Sequence, residues 1–262
     1  QVETVKITAY YPESADIEAI TKQVNERLAE LTDFGLETGD IHLATQELVE
    51  EDWAENWKQY YKPIPIGENL LVLPKWEPEP EGNTRRVLKL DPGLAFGTGG
   101  HATTRMCLEL LEEAVRPGCQ VLDLGCGSGI LAIAALCLGA GQAVGVDIDP
   151  KAVDVAYENA ALNGIGKDRY TVRAGDILTD RALEAELGGE RYPLVLANIV
   201  ADVILALIPS LPRLLRPGGT VICSGILDNR LAGVREALQA HGLEVLETEG
   251  REEWRCVVAR RE

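Results

Sequence analysis

A glycine-rich turn near the middle of the chain could bring the backbone close to a ligand. The apolar run Val121–Leu124 leads into Gly125–Gly129, where glycine occupies every second position. This order is typical of a buried strand that turns into a helix, and glycines at the turn admit a ligand at the carboxyl edge of a parallel sheet. The dinucleotide-binding fingerprint requires glycine at the sixth position, but Ile130 stands there. We therefore predict a ligand-binding loop of a different type.

An acidic residue follows the next apolar run at a suitable distance from this loop. Asp147 lies 22 residues after Gly125, at the end of Val144–Asp147. A carboxylate at that place can accept hydrogen bonds from both hydroxyls of a ribose. This fits the adenosine of a methyl donor or of NAD. Asp149, directly before Pro150, is better explained as the N-cap of a helix.

Other polar residues are weaker candidates when each is considered alone. Asp176 follows the third predicted strand and could accept from an adenine amino group, or could serve the loop itself. Asn198 ends the fourth predicted strand, where its side chain could orient an amine or make a turn. The glycine-rich stretch 91–104 predicts a flexible loop over the site. It ends in Thr103 and Thr104, which could cap the following helix, and His101 is given no catalytic role.

The charge of the chain limits its partners. It has 42 acidic and 25 basic residues, a net charge of −17, and residues 1–82 carry −12 of it. Such a surface repels phosphate backbones and attracts basic partners, so we expect no direct nucleic-acid binding. The six cysteines form no C-x-x-C pair and the three histidines are far apart. We therefore predict no metal site, and reduced thiols that suit a cytoplasmic protein.

The pattern of apolar residues divides the chain in two. Apolar spacing predicts a strand at Val2–Tyr10, a helix around Ile17–Leu31, a strand at Ile41–Val49, a helix at Asp52–Tyr61 and a strand at Leu70–Leu73. We expect residues 1–76 to form a small acidic α+β domain, and the proline-rich, charged residues 77–83 to be a linker. In residues 84–262 strands and helices alternate, which predicts an α/β domain with a mainly parallel sheet. The last two strands lack an intervening helix, so one should run antiparallel.

These motifs, in this order, resemble the PrmA family, bacterial methyltransferases of the eleventh protein of the large ribosomal subunit. The glycine loop is shared by many methyltransferases that use S-adenosylmethionine. The glycine-rich loop with His101, joined to a first domain rich in tryptophan, is more specific to this family. The matching segments cover nearly the whole chain and are 57–63, 73–77, 91–104, 123–129, 146–150, 198–199, 224–227 and 252–254.

The resemblance implies a Rossmann-like class I methyltransferase with a seven-stranded sheet, and a ferredoxin-like first domain that recognises the ribosomal protein. Family members usually have further elements before the match to Val2, so we expect a truncated first domain here. The implied reaction transfers methyl groups from S-adenosylmethionine to lysine side chains, the N-terminal amine, or both. The implied contacts with the donor are Phe96, Thr104, Gly125, Gly127, Asp147, Asp176 and Asn198, and Asn198 would also orient the amine as the catalytic residue.

Three alternatives remain at this point. The chain could methylate another amine, in a small molecule or a nucleic acid. It could be an NAD-dependent oxidoreductase, which Asp147 fits but Ile130 does not. It could also be a binding module without catalysis, holding a basic protein on its acidic domain. No apolar run approaches the roughly 18 residues that span a membrane, and no secretory leader precedes the first strand. We therefore expect a cytoplasmic monomer.

Overall fold

The computed structural model describes residues 9, 11, 14–33, 42–45, 61–91 and 99–262 and divides between Lys58 and Gln59 into two compact units. In the first unit the predicted helix is present as α1 (Ile17–Asp33), and the Asp16 carboxylate accepts a hydrogen bond from the Ala19 N–H at 3.0 Å. Residues 42–45, inside the second predicted strand, have no regular structure. Ala9, in the first predicted strand, also has no regular structure. The other residues of the two predicted strands, and the helix predicted from Asp52 up to residue 60, lie outside the described residues.

The second unit begins with a small sheet that the sequence only partly indicated. Strand β1 (Ile64–Ile66) pairs antiparallel with β2 (Leu70–Pro74), which pairs in parallel with β3 (Arg86–Leu90). The Lys75 N–H also donates to the Leu90 carbonyl at 2.8 Å. Residues 77–83, predicted as an interdomain linker, therefore lie in the crossover between two strands of one sheet. Proline and charge mark an exposed connection, but they do not reveal that the flanking strands pair with each other.

The main sheet has seven strands in the order β6-β5-β4-β7-β8-β10-β9. Strands β4 to β8 run parallel, and β10 is antiparallel to both of its neighbours, as expected from the missing last helix. Because successive strands are added on opposite sides of β4, a crevice opens beyond its carboxyl end. The strands are β4 (Gln120–Leu124), β5 (Gln142–Asp147), β6 (Tyr170–Ala174), β7 (Tyr192–Asn198), β8 (Leu215–Leu227), β9 (Leu243–Arg251) and β10 (Trp254–Arg261).

Helices cover both faces of this sheet, and each face has its own apolar core. On one face α2, α3 and α4 pack with the small sheet, and on the other face α5 to α8 pack on β7 and β8. These helices are α2 (Ala102–Ala114), α3 (Ile130–Leu138), α4 (Pro150–Leu162), α5 (Arg181–Leu187), α6 (Ala201–Leu207), α7 (Leu211–Leu214) and α8 (Leu231–Ala240).

The helical stretch between β7 and β8 is interrupted, as its two prolines predict. It is divided into α6, a 3-10 turn at Ile208–Ser210 and α7, because Pro209 and Pro212 each lack the N–H that a continuous helix needs. Helix α5 was not predicted from the sequence. Within the described part of the chain, no helix is both long and apolar enough to cross a membrane.

Candidate functional site

The glycine loop adopts a backbone conformation that favours glycine. Gly125, Gly127 and Gly129 have φ angles of 74°, 51° and 79°, in the left-handed region that other residues rarely enter. A side chain on Gly125 would place its Cβ 2.4 Å from Cγ2 of Ile199, which follows β7. Between these glycines, burial raises the pKa of the Cys126 thiol well above its usual range. A thiol with a raised pKa carries little thiolate, which disfavours a role for Cys126 as a nucleophile.

Asp147 fixes the middle of this loop from the neighbouring strand. Its Oδ2 accepts a hydrogen bond from the Gly127 N–H at 2.8 Å, and its Oδ1 accepts one from the Asp149 N–H at 3.0 Å. Each carboxylate oxygen can accept a second hydrogen bond. Asp147 is partly exposed, so both oxygens suit the two hydroxyls of a ribose. The N–H groups hold the side chain in place before any ligand arrives.

The structure brings Asn198 and Thr104 together across 94 residues of sequence. Asn198 ends β7, next to β4 and its glycine loop, and its Nδ2 donates to Thr104 Oγ1 at 3.2 Å. Thr104 is fully buried in the first turn of α2. Strand β7 and the start of α2 thus position one polar pair at the carboxyl edge of the sheet.

The start of α2 is capped by His101 and not by either threonine. The His101 side chain accepts from the Thr103 N–H and lies edge-on to the ring of Trp254, with centroids 5.3 Å apart. Thr103 is buried, and its carbonyl accepts from the Ser224 hydroxyl at 3.2 Å. Because His101 supplies the cap, the alternative reading of Thr103 and Thr104 as caps is wrong.

The two other acidic candidates serve their own turns. Asp149 is the N-cap of α4 and accepts from the Lys151 N–H at 2.9 Å, as predicted. Asp176 accepts from the Leu178 N–H at 2.9 Å and from the Thr179 hydroxyl at 3.1 Å. These contacts hold the turn after β6, where Asp176 stays a predicted contact for adenine. Phe96, the remaining predicted contact, lies outside the described residues.

Asp123, the first residue of the glycine motif, lies beneath the loop as a buried carboxyl. Its Oδ2 accepts from the Ala132 N–H at 3.2 Å, and within the described chain its Oδ1 has no hydrogen-bond partner. Burial raises the pKa of Asp123 to about 7, and the nearby Asp147 carboxylate acts in the same direction. The raised pKa keeps Asp123 neutral up to a higher pH, which lowers the negative charge beneath the glycine loop.

Two residues of this region were not predicted from the sequence as part of the site. Ile148 directly follows Asp147, yet its side chain is 75% exposed. It offers an apolar surface beside the ribose position. Asn159 lies fully buried on α4, whose other buried residues are the alanines Ala152, Ala156 and Ala160. A polar residue on that apolar face was the one available signal for Asn159.

The site fits the sulfonium donor that the motif predicts. The Asp147 carboxylate lies beside a loop with little side-chain bulk, and the exposed Ile148 side chain follows it. The Asn198–Thr104 pair lies at the end of β7, the strand next to β4. Together with the sheet order, these features define a class I methyltransferase that uses S-adenosylmethionine. Among solved structures, the protein SMU.776, which was solved in complex with SAH, has the same fold, with a TM-score of 0.53 and 13% identity over 62% of this chain and 50% of that one.

The comparisons with known proteins identify the family. Residues 1–262 match the family model described as "Ribosomal protein L11 methyltransferase (PrmA)". The chain therefore belongs to this family, as the sequence motifs indicated. The enzyme and the cofactor predicted from the sequence are thereby confirmed, and the oxidoreductase and binding-module alternatives are set aside.

Individual relatives agree with this assignment. A ribosomal protein L11 methyltransferase of Streptococcus thermophilus is 52% identical over 248 residues, which cover 95% of this chain and 75% of the relative. The relative of the same name from Streptococcus mutans is 48% identical over 98% of this chain and 79% of its own length. The crystal structure of ribosomal protein L11 methylase from Lactobacillus delbrueckii subsp. bulgaricus superposes with a TM-score of 0.68 and 35% identity, covering 77% of this chain and all of that one.

Proposed function

We propose that this protein transfers methyl groups from S-adenosylmethionine to amino groups of ribosomal protein L11. The acceptors are lysine side chains, the N-terminal amine, or both. The observation that carries the proposal is the juxtaposition of the Asp147-held glycine loop with the Asn198–Thr104 pair at one edge of the sheet. The family match over the whole chain supports the same donor and substrate.

In this proposal, different residues around the glycine loop bind different parts of the donor. Asp147 binds the ribose hydroxyls, and Gly125 and Gly127 admit the rest of the donor to the loop backbone. Phe96, Asp176 and Ile148 contact the adenosine, Ile148 through its exposed side chain. Thr104 and Asn198 lie towards the reacting methyl group.

The reaction then needs mainly alignment. S-adenosylmethionine supplies a methyl group on a positively charged sulfur, which is already activated for displacement. The lysine amine must be neutral to attack, and its ordinary pKa is about 10.4. Partial desolvation favours the neutral form, and Val200, two residues after Asn198 and 63% exposed, would offer the lysine an apolar contact. The Asn198 side chain orients the amine, whose nitrogen bonds to the methyl carbon while the electron pair of the broken bond stays on sulfur. The proton leaves to water.

Substrate docking falls to the first unit in this proposal. Most of the net charge of −17 lies in residues 1–82, which favours a basic ribosomal protein and disfavours direct contact with nucleic acid. The docking part corresponds to residues 1–58, because β1 and β2 belong to the methyltransferase unit. We further propose that the protein works as a monomer in the cytoplasm.

Intact-mass spectrometry tests the proposed function directly. Ribosomal protein L11 is incubated with the enzyme and S-adenosylmethionine, and methyl additions are expected only when both are present. An Asn198→Ala variant should lose more in the rate of methyl addition than in donor affinity, because Asn198 is assigned to orient the amine as well as to contact the donor. An unmodified ribosomal protein after incubation with wild-type enzyme would contradict the proposal. Calorimetry with NAD provides a negative control for donor choice.

A further inference from the structure

Asn159 joins two loops that meet at the donor site. Its Oδ1 accepts a hydrogen bond from the Asp91 N–H at 2.9 Å, and its Nδ2 donates to the Ser128 carbonyl at 3.0 Å. Asp91 is where the glycine-rich stretch 91–104 begins, and Ser128 belongs to the Gly125–Gly129 loop. One buried amide therefore connects both segments that the donor would contact.

Burying the Asn159 amide is energetically unfavourable unless both its oxygen and its nitrogen form hydrogen bonds. Asn159 is fully buried on the face of α4 that otherwise carries alanines, in contact with the apolar core. Placing an amide in such surroundings without partners is unfavourable, and alanine would pack there without that cost. The two hydrogen bonds are what the asparagine adds to the alanine face.

A second asparagine on the same helix shows which of the two Asn159 hydrogen bonds makes a connection that no other asparagine of α4 makes. Asn163, at the C-terminal end of α4, accepts from the Lys89 N–H and donates to the Lys89 carbonyl, each at 2.8 Å. This pair already fastens α4 to β3, two residues before Asp91. The bond from Asn159 to Asp91 therefore extends an existing attachment. The bond to Ser128 makes a connection that Asn163 does not make.

The Ser128 bond completes the restraint of the loop. The peptide between Ser128 and Gly129 is held at both ends, because the carbonyl accepts from Asn159 and the Gly129 N–H donates to the Cys126 carbonyl at 2.8 Å. Earlier in the loop, Asp147 holds the Gly127 N–H. The loop is thus fixed from α4 at one end and from β5 at the other.

We infer that Asn159 is a positioning residue that holds the glycine loop in its donor-binding shape by fixing the Ser128 carbonyl. The inference rests on the proposed function, because it assumes that S-adenosylmethionine binds at this loop. A loop that is already in its bound shape loses less conformational freedom when the donor arrives. Without the amide, donor affinity should fall although no residue in contact with the donor has changed.

Three variants of the full chain separate the possibilities. Asn159→Ala removes both bonds. Asn159→Asp keeps the volume and the acceptor for the Asp91 N–H but loses the donor to Ser128. Asn163→Ala is the control, because Asn163 lies at the same end of α4, holds Lys89 by two hydrogen bonds and donates to the Asn159 backbone carbonyl at 2.8 Å, yet leaves the Asn159 side chain and its bond to Ser128 unchanged.

Calorimetric titration with S-adenosylmethionine should show about tenfold weaker binding for both Asn159 variants and less than about a twofold change for Asn163→Ala. In methylation assays the KM for the donor should rise for the Asn159 variants, while the KM for the ribosomal protein stays unchanged. Without donor, the amides of residues 127–129 should exchange faster in the Asn159 variants than in the control. Should Asn159→Asp not fold because its carboxylate faces the Ser128 carbonyl, Asn159→Ala, which suits the alanine face of α4, carries the test.

Two results would overturn the inference while leaving the proposed function intact. One is donor affinity in both Asn159 variants equal to that of the wild type. The other is an equal loss of affinity in Asn163→Ala, which would indicate general loosening of α4. If the wild-type enzyme itself did not bind S-adenosylmethionine, the proposed function would fail, and the inference would fail with it.

Discussion

Replacing Asp147 by alanine tests the donor site most directly. The substitution removes the two carboxylate oxygens that we assign to the ribose hydroxyls. It also removes the acceptors of the Gly127 and Asp149 N–H groups, at 2.8 and 3.0 Å. These N–H groups belong to partly exposed or exposed segments, so water can replace the carboxylate there. The main loss should therefore fall on the donor and not on folding.

The expected magnitude follows from the number of bonds lost. A hydrogen bond to a charged group contributes about 1.5–3 kcal/mol. Losing one such bond to the ribose weakens binding about tenfold, and losing two at the lower value weakens it about a hundredfold. Titration calorimetry with S-adenosylmethionine measures this change, and thermal unfolding without donor checks that the fold is intact.

Asp149 provides a control two residues away. Asp149→Ala removes the N-cap of α4, where the carboxylate accepts from the Lys151 N–H. This should lower the free energy of unfolding by about 1 kcal/mol and leave donor affinity unchanged, because the Asp149 backbone N–H still reaches Asp147. Wild-type affinity in Asp147→Ala would remove Asp147 from the site. An equal loss in both variants would show that the effect comes from the segment as a whole and not from the carboxylate.

Three further predictions follow from other parts of the structure. Burial raises the pKa of Asp123 from 3.8 to about 7; the folded state therefore retains this proton to higher pH, and the free energy of unfolding should fall as the pH rises through that interval. Asp123→Asn should flatten this dependence in urea unfolding, and an unchanged profile would contradict the assignment. Removing residues 1–58 should preserve donor binding and abolish methylation of the ribosomal protein. Removing residues 1–82 should also destabilise the fold, because it deletes β1 and β2 from the core. Full methylation of the ribosomal protein by residues 59–262 would refute the docking role. Hydrogen exchange across residues 91–104 should slow when the donor is added, and equal exchange with and without it would refute donor-induced ordering.

Much of the catalytic unit could be predicted because its signals are local. An apolar run followed by alternating glycines identifies a strand and its loop, and an acidic residue at the end of the next run marks the ribose position. Asp147 was predicted in this way, and in the structure it holds the loop through Gly127. The alternation of strands and helices likewise predicted a mainly parallel sheet with an antiparallel strand at its end, and the family resemblance implied that it has seven strands.

The domain boundary could not be predicted in this way. Residues 77–83 have the composition of a linker, but β2 and β3 on either side pair with each other and contribute Val72 and Leu88 to the core beneath α2 and α3. The composition of a segment indicates only that it is exposed to solvent. Strand pairing between segments that lie apart in the chain depends on tertiary contacts, which composition does not contain.

The sequence by itself determined the class of fold, the glycine loop and the acidic residue at the end of the next strand, because each depends on residues close together in the chain. Only the tertiary structure decided how distant polar groups meet. Thr104 reaches Asn198 because α2 begins beside the end of β7, and Asn159 reaches Ser128 and Asp91 because α4 packs between their loops. Each partner alone resembles an ordinary cap, turn or surface residue. Their burial and mutual hydrogen bonds come from the way the sheet orders its strands and places helices on its faces.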